Sequence, residues 1–233
     1  MLLTEAVRRG EASWPREWRG EDLLEGVLVR IDYHGVGALL NEARDCLDGW
    51  PQSILDEVRA RALAQSMWEL RSEALISPLL ERLAARHLPS LLLKGSALAY
   101  DLYPNPALRA RGDTDLLVRG ADVEAAREVL RDTGLRRQFL AEDLPEGLRA
   151  QESWVFAASD GSTHVLDLHW HVLNAPALYE AFDFEVLWRT KRPLKRLGEA
   201  AFAPSRPMML AHACVHRAFH ECAPYFVGGR TYS

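Results

Sequence analysis

The sequence predicts an α+β fold, in which helices flank a small β-sheet. Apolar residues recur at helical spacing through most of residues 1–88, which indicates an N-terminal helical layer. Short apolar runs bounded by glycine, proline or aspartate follow in residues 89–174, and such runs are typical of strands. Residues 175–233 return mainly to helical spacing. We therefore expect an N-terminal helical layer, a sheet-containing core and a C-terminal helical segment, in that order.

The composition is that of an ordinary soluble globular protein, with 48% hydrophobic and 26% charged residues among 233. A net charge of −5 argues against strong nonspecific binding to nucleic acid. The N-terminus lacks the apolar stretch of a signal peptide, and no apolar run approaches membrane-spanning length. We expect a cytoplasmic protein with no membrane partner. Three cysteines without metal-site or paired spacing agree with a reducing compartment: Cys46, Cys214 and Cys222.

The N-terminal layer divides into several predicted helices. Residues 1–20 carry tryptophan and proline among charges and are interpreted as a loosely packed leader. Residues 21–48 predict two helices interrupted near Gly35, and a longer helical pattern begins at the candidate cap Ser53. Because proline lacks the N–H of a helical hydrogen bond, Pro78 is predicted to end or kink this longer helix.

Candidate chemistry begins with a buried strand at 90–93 and a second strand at 113–118. Asp113 and Asp115 share one face of the second strand, because side chains alternate between faces. Two neighbouring carboxylates repel each other unless a cation lies between them. Since hard cations prefer oxygen ligands, the pair suggests a magnesium site. Taken alone, it could also be a solvated strand entrance or a turn cap.

A third carboxylate lies on a later strand. Residues 154–158 and 164–172 predict two strands joined by a turn at Asp160-Gly161. The polar side chains on one face of the second of these strands are Asp167, His169 and His171.

A strand-to-helix turn at Lys94-Gly95-Ser96 precedes the acid pair. Bare backbone N–H groups and a serine hydroxyl near a helix N-terminus can hold a phosphate. Glycine after a strand is common, so the turn alone is a weak signal. The combination of this turn, the acid pair and the third acid is more specific.

This combination resembles the DNA polymerase β-like nucleotidyltransferase superfamily, in which an apolar strand, a Gly-Ser turn and an Asp-x-Asp pair precede a third acid on an adjacent strand. The wider context looks like the bacterial group called uncharacterised nucleotidyltransferases. That group pairs Leu-Lys-Gly with Arg-x-x-x-Asp-x-Asp-Leu-Leu, here Leu93-Lys94-Gly95 and Arg109 through Leu117. The resemblance covers roughly residues 75–222. Because relatives are expected to continue with further helices, the C-terminus is interpreted as truncated.

The resemblance implies the small mixed β-sheet of a nucleotidyltransferase core and a metal-dependent reaction. A nucleoside monophosphate would move from a nucleoside triphosphate such as ATP to an acceptor, with release of pyrophosphate. Asp113 and Asp115 would hold two Mg²⁺ ions, or Mn²⁺, on the triphosphate, and Asp167 would ligate the metal nearest the attacking hydroxyl. Gly95 and Ser96 would cradle the β- and γ-phosphates. No residue decides whether the acceptor is a small molecule, a protein side chain or an RNA end.

Three basic residues are further candidates for phosphate binding. Arg109 and Arg111 carry the guanidinium fork that fits phosphate oxygens, and Lys94 adjoins the glycine turn. A lysine at the end of a buried strand often only reaches solvent, so Lys94 has this alternative interpretation.

The histidines form two further groups. His169 and His171 would point toward the pocket and orient the third carboxylate or contact substrate, although a polar filling role is favoured for His171. His212, His216 and His220 fall on one helical stripe, and histidines four residues apart can chelate zinc. Without a glutamate between them in the metalloprotease arrangement or an evident fourth ligand, a packing or capping role is favoured.

Two other functions compete with the transferase. One is a non-catalytic relative that binds a nucleotide or a partner protein, and the presence of all three acids argues against it. The other, less favoured, is a histidine-based metal hydrolase centred on residues 212–220.

Overall fold

The computed structural model describes residues 2–18, 20–138, 150–173 and 178–222, except for the side chains of 219–222. The chain divides into two compact units. The first unit comprises Met1–Leu75 and Leu98–Gly112, and the second comprises Ile76–Ala97 and Asp113–Ser233. The three regions predicted from the sequence, with boundaries at residues 88 and 174, stay predictions.

Within the described residues the α-helices are α1 (Leu2–Arg9), α2 (Glu21–His34), α3 (Gly37–Glu42), α4 (Gln52–Ala85), α5 (Lys94–Leu102), α6 (Val123–Asp132), α7 (Phe184–Arg189) and α8 (Arg206–Cys222). The strands are β1 (Ser90–Leu92), β2 (Asp113–Val118), β3 (Arg136–Arg137), β4 (Gln151–Ala157), β5 (Thr163–His169), β6 (Arg192–Pro193) and β7 (Phe202–Ala203). None of the described helices combines the length and the apolar character needed to cross a membrane.

The core of the first unit includes its N-terminal residues. Trp14 is 9% exposed, and its ring packs edge-on against Trp18 and Trp50 at centroid distances of 5.7 and 5.3 Å. The interpretation of residues 1–20 as a loosely packed leader is therefore wrong, because large aromatic rings gain most from burial. Gly35 ends α2 in the left-handed conformation, as the predicted interruption required.

Helix α4 continues through Pro78, so of the two predicted effects of this residue an end of the helix is wrong and a kink stays a prediction. A proline inside a helix costs ~3 kcal/mol, chiefly through one lost hydrogen bond and a steric clash. The side chains around it are buried: Ile76, Leu79, Leu80 and Leu83 are each 3% exposed or less. Burying one such side chain contributes ~1.5–3 kcal/mol, so packing outweighs the cost of the proline.

The second unit contains a five-stranded mixed sheet in the order β1-β2-β5-β4-β3. Strands β2 and β5 are parallel, and the other neighbours are antiparallel. This sheet with its flanking helices confirms the predicted α+β class. A separate antiparallel pair is formed by β6 and β7.

The register of β2 and β5 aligns the acids. Asp115 lies directly opposite Asp167, and Asp113 precedes Asp115 on the same face. We call this side of the sheet the acid face. Leu166 and Leu168 point to the other side, which we call the opposite face, and are fully buried there.

The predicted turn between β4 and β5 is confirmed. Gly161 takes a positive φ of 81°, and the Ser162 backbone N–H donates to Asp160 Oδ1 at 2.9 Å. For residues 136–151 the sequence predicts a loop or a short helical excursion; most of this segment falls outside the described residues, and Arg136–Arg137 forms β3. The chain after residue 222 also lies outside the described residues.

Helix α8 packs on the acid face. Leu117 of β2 shares that face with Asp115 by alternation and belongs to an apolar cluster with Phe182. Met208 and Val215 of α8 pack against the same cluster. The C-terminal helix therefore lies on the side of the sheet that carries the acids.

Candidate active site

Asp115 is the most firmly held of the three acids. It is 2% exposed, and its Oδ1 atom lies 2.5 Å from Lys94 Nζ and 2.8 Å from His169 Nε2. Burial on its own would raise the pKa of Asp115, but the hydrogen bond to His169 and the charge of Lys94 outweigh burial and lower the pKa to about 2. This carboxylate stays ionised at any ordinary pH.

Asp113 has the opposite electrostatic character. Burial raises its pKa, and the charges of Asp115 and Asp167 raise it further, while Lys94 and His169 lower it only in part. The charge on Asp113 is therefore under-compensated by the side chains around it. A divalent cation is the kind of group that would relieve the repulsion.

Lys94 owes its position to an unusual backbone conformation. Its φ is +44°, in the left-handed region that residues with a Cβ seldom adopt. The turn joins β1 to α5 and brings the ammonium group to Asp115, which argues against a lysine that only reaches solvent. A strained backbone conformation of this kind costs ~1–3 kcal/mol, and such residues cluster at active sites and ligand-binding sites.

Gly95 and Ser96 occupy the first turn of the nine-residue helix α5. Ser96 is 3% exposed, and its hydroxyl donates a long hydrogen bond of 3.5 Å to the backbone carbonyl of Asp113. This contact ties the glycine turn to the start of the acid strand.

Asp167 is held by Ser153, whose hydroxyl donates to Asp167 Oδ1 at 2.6 Å. Ser153 lies directly opposite Asp167 on the neighbouring strand β4. The sequence interpretation missed this residue. The signal was present, because strands that pair symmetrically about the turn at Asp160 place these two residues side by side.

Asp115, Asp167 and His169 form a group that could hold a metal ion, since their ligand atoms all lie within 4.8 Å of one another. His169 is fully buried, and no hydrogen-bond partner for its Nδ1 is found among the described residues. Two of the three predicted metal ligands thus belong to the group. His169 is the remaining member of the group. Asp113, the third predicted ligand, interacts electrostatically with both aspartates, and metal binding by Asp113 stays a prediction.

A comparison with known protein families identifies the family of the chain. The family model described as uncharacterised nucleotidyltransferase matches residues 25–226. The chain belongs to this family. No curated protein matches it. For an uncharacterised nucleotidyltransferase, a buried cluster of two aspartates and a histidine is compatible with the metal dependence expected from the sequence.

The two arginines predicted for phosphate binding, Arg109 and Arg111, lie in the first unit. Arg111 is 3% exposed by side chain, and its terminal nitrogens lie 2.7 and 2.8 Å from the carboxylate of Glu69. Its guanidinium also lies over the Trp68 ring at 4.9 Å, and Tyr100 donates to Glu69 at 2.5 Å.

Arg109 donates to the carbonyl of Ala110 at 2.7 Å. Phosphate contacts by either arginine stay predictions.

His171 stacks flat on Tyr179, with ring centroids 3.7 Å apart and planes inclined by 2°. Burial lowers its pKa, although the charge of Asp183 raises it. This stacking agrees with the favoured filling role of His171, and its contact with substrate stays a prediction.

The helical histidine stripe does not form a metal group of its own in the described residues. His212 is 6% exposed, and its ring lies 5.7 Å from that of His216. Among side chains that the structure describes, the group able to hold an ion includes neither of them, and the side chain of His220 lies outside the described part. His212 instead interacts electrostatically with Asp115, Lys94 and His169 of the acid site, which the sequence interpretation missed.

Proposed function

We propose that the chain is a metal-dependent nucleotidyltransferase that moves a nucleoside monophosphate from a nucleoside triphosphate to a hydroxyl or similar acceptor. The observation that carries the proposal is the buried group of Asp115, Asp167 and His169 in a chain of this family. The proposal places the chain in the DNA polymerase β-like superfamily and in the cytoplasm, where nucleoside triphosphates are available. The acceptor is a small molecule, a protein side chain or an RNA end.

The residues of the site fit a divalent cation. Asp115 and Asp167 offer carboxylate oxygens, His169 offers a ring nitrogen, and the raised pKa of Asp113 marks repulsion that a cation would relieve. When bound, the metal would lower the pKa of the attacking hydroxyl and neutralise charge on the triphosphate. Carboxylates suit both Mg²⁺ and Mn²⁺, and an imidazole in the set suits a transition-metal ion such as Mn²⁺ better than Mg²⁺.

The reaction balances without a further reactant. The acceptor oxygen forms a bond to the α-phosphorus, the bond from that phosphorus to the oxygen bridging to the β-phosphorus breaks, and pyrophosphate leaves with the electron pair. The hydroxyl proton passes to the carboxylate of Asp167. Ser153 donates to one oxygen of that carboxylate at 2.6 Å and so fixes the direction in which the other oxygen points.

Phosphate binding is assigned to the turn between β1 and α5. Gly95 and Ser96 lie in the first turn of α5, where backbone N–H groups lack helical partners and attract anions. Lys94 adds a positive charge at the same turn and also pairs with Asp115. The β- and γ-phosphates would lie against these residues.

The test is incubation with each labelled nucleoside triphosphate, Mg²⁺ or Mn²⁺ and a cell extract. The wild type is expected to release pyrophosphate and transfer label, and the double variant Asp113→Asn/Asp115→Asn to do neither. Asp132→Asn is the matched control, because Asp132 is an exposed carboxylate at the end of α6. Equal label transfer by the double variant, or none by the wild type with any of the triphosphates, would contradict the proposal.

A further inference from the structure

Helix α8 contributes a buried histidine to the acid face. His212 packs near Phe182, with ring centroids 6.0 Å apart, and Phe182 belongs to the apolar cluster that α8 covers. The cluster shares the acid face with Asp115 through Leu117. His212 therefore lies on the acid face and belongs to an element outside the sheet.

His212 carries a polar atom whose hydrogen bond is not accounted for. The side chain is 6% exposed, and within the described residues no partner is found for its Nε2. Buried polar atoms in native proteins nearly always have partners, so an exception calls for a functional explanation. A purely structural histidine at this position would gain nothing from an unpartnered nitrogen.

Burial, with the charges around His212, lowers the pKa of this histidine and keeps it neutral. Burial lowers its pKa first, and the charges of Lys94, His216 and His169 lower it further, while Asp115 raises it, to a net value of about 4. A neutral imidazole recognises an uncharged donor or acceptor better than it recognises a phosphate. This distinguishes His212 from the cationic Lys94 at the same site.

His212 is not a member of the metal group, although His169 is. Of the two buried imidazoles near Asp115, one thus offers its nitrogen within reach of an ion and the other does not. The charges of Asp115, Lys94 and His169 act on His212, which is not itself a member of the metal group, and this suits a contact with the second substrate.

We propose that His212 binds the acceptor substrate through a hydrogen bond at Nε2, and that the acceptor presents an uncharged hydroxyl or amine at this point. The inference rests on the proposed transferase function and assigns the acceptor side of the site to α8. Lys94 and the turn at Gly95 then serve the triphosphate, and the helix on the acid face serves the acceptor.

The experiment compares His212→Leu and His212→Gln with the control His34→Gln, which changes an exposed histidine of the first unit and should leave label transfer unchanged. Leucine has a similar volume and no polar atom, so its melting temperature should equal or exceed that of the wild type, while label transfer to extract acceptors falls about 100-fold. Glutamine can place an amide near the position of Nε2 and should recover about a tenth of the wild-type rate. Mn²⁺ binding, measured by electron paramagnetic resonance, and binding of an α,β-methylene triphosphate should change less than about twofold in either variant.

The outcomes separate this inference from the proposed function. A wild type that transfers no label refutes the proposed function, and the inference with it. If the wild type is active and His212→Leu retains its rate, His212 does not bind the acceptor. A loss of Mn²⁺ affinity in His212→Leu, comparable with the loss in His169→Ala, would identify a metal ligand and overturn the assignment. A lower melting temperature in His212→Leu without recovery in His212→Gln would identify a structural role and equally overturn it.

Discussion

The two faces of the sheet both bury charged side chains, but they pair them differently. On the opposite face, Glu152 is 3% exposed, and Arg127 donates to its two oxygens at 2.8 and 2.7 Å. Trp154 and Arg137 add contacts to the same carboxylate at 3.0 Å each. Both oxygens of Glu152 are therefore occupied by donors of the chain itself.

On the acid face, pairing is incomplete. Asp113 has a raised pKa, and among the described residues His169 Nδ1 and His212 Nε2 have no hydrogen-bond partner. A fully paired buried network makes one structure rigid and specific, whereas an incomplete one costs stability unless a ligand completes it. The contrast separates buried charges that the chain itself pairs, on the opposite face, from buried charges on the acid face that the proposed function assigns to binding.

The largest effect on stability is expected from the opposite face. Arg127→Met would leave Glu152 buried with only part of its donors and should lower the free energy of unfolding by about 3 kcal/mol. Arg131→Met, one turn along α6, removes an exposed arginine that lies over the Trp154 ring at 5.8 Å and should cost less than about 1 kcal/mol. Urea unfolding measures both. If both variants lowered the free energy of unfolding by the same amount, the pairing of Glu152 by Arg127 would not be a special contribution of the opposite face.

The next largest effect on stability is expected at Asp115, which is paired with Lys94 and His169 on the acid face. Asp115→Asn should lower the free energy of unfolding at pH 7 by about 2 kcal/mol, because the folded-state pKa of Asp115 lies near 2 against an ordinary value of 3.8. A lowered folded-state pKa stabilises the fold above the unfolded-state pKa. The stabilisation is lost as pH falls through the interval from about 4 to about 2. The stability of wild type and variant should therefore converge across that interval, and a constant difference down to pH 2 would exclude this origin.

The arrangement of the acids followed from strand periodicity, and this part of the site was predictable. Side chains two residues apart share a face, so Asp113 with Asp115, and Asp167 with His169, can be grouped from the sequence alone. Which strands pair, and in which register, depends on contacts distant in sequence. The alignment of Asp115 with Asp167 therefore needed the sheet.

The residues that the sequence did not reveal depend on tertiary packing. Ser153 acquires its role from a neighbouring strand, and His212 from a helix that folds back onto the acid face. Arg111 was predicted to bind phosphate, and the structure pairs it with Glu69. Glu69 lies 42 residues earlier in the chain, so no local pattern could have revealed this pairing. Local patterns thus identify side chains on one element and fail where two elements meet.

Ser153→Ala should change the free energy of unfolding less than Arg127→Met and Asp115→Asn do, and it should mainly weaken metal binding. Loss of the hydroxyl frees Asp167 to rotate, and removal of such a supporting hydrogen bond typically weakens metal binding by about 10-fold. Stability should change by only about 1 kcal/mol. Ser162→Ala, in the turn at the far end of the same hairpin, is the control. Mn²⁺ titration followed by electron paramagnetic resonance measures the difference, and unchanged affinity would show that Ser153 does not position Asp167.

The smallest effect is also the one with the opposite sign. The folded-state pKa of Asp113 is raised, so its ionised form destabilises the fold once pH exceeds the unfolded-state value of 3.8. Asp113→Asn removes that charge and should raise the free energy of unfolding at pH 7 by less than Asp115→Asn lowers it, with the gain vanishing as pH falls below 3.8. Thermal melts at several pH values measure it. A variant that is more stable but inactive would show that Asp113 is retained for binding a cation, whereas a lower melting temperature at pH 7 would place Asp113 with Glu152 among the charges that hold the fold.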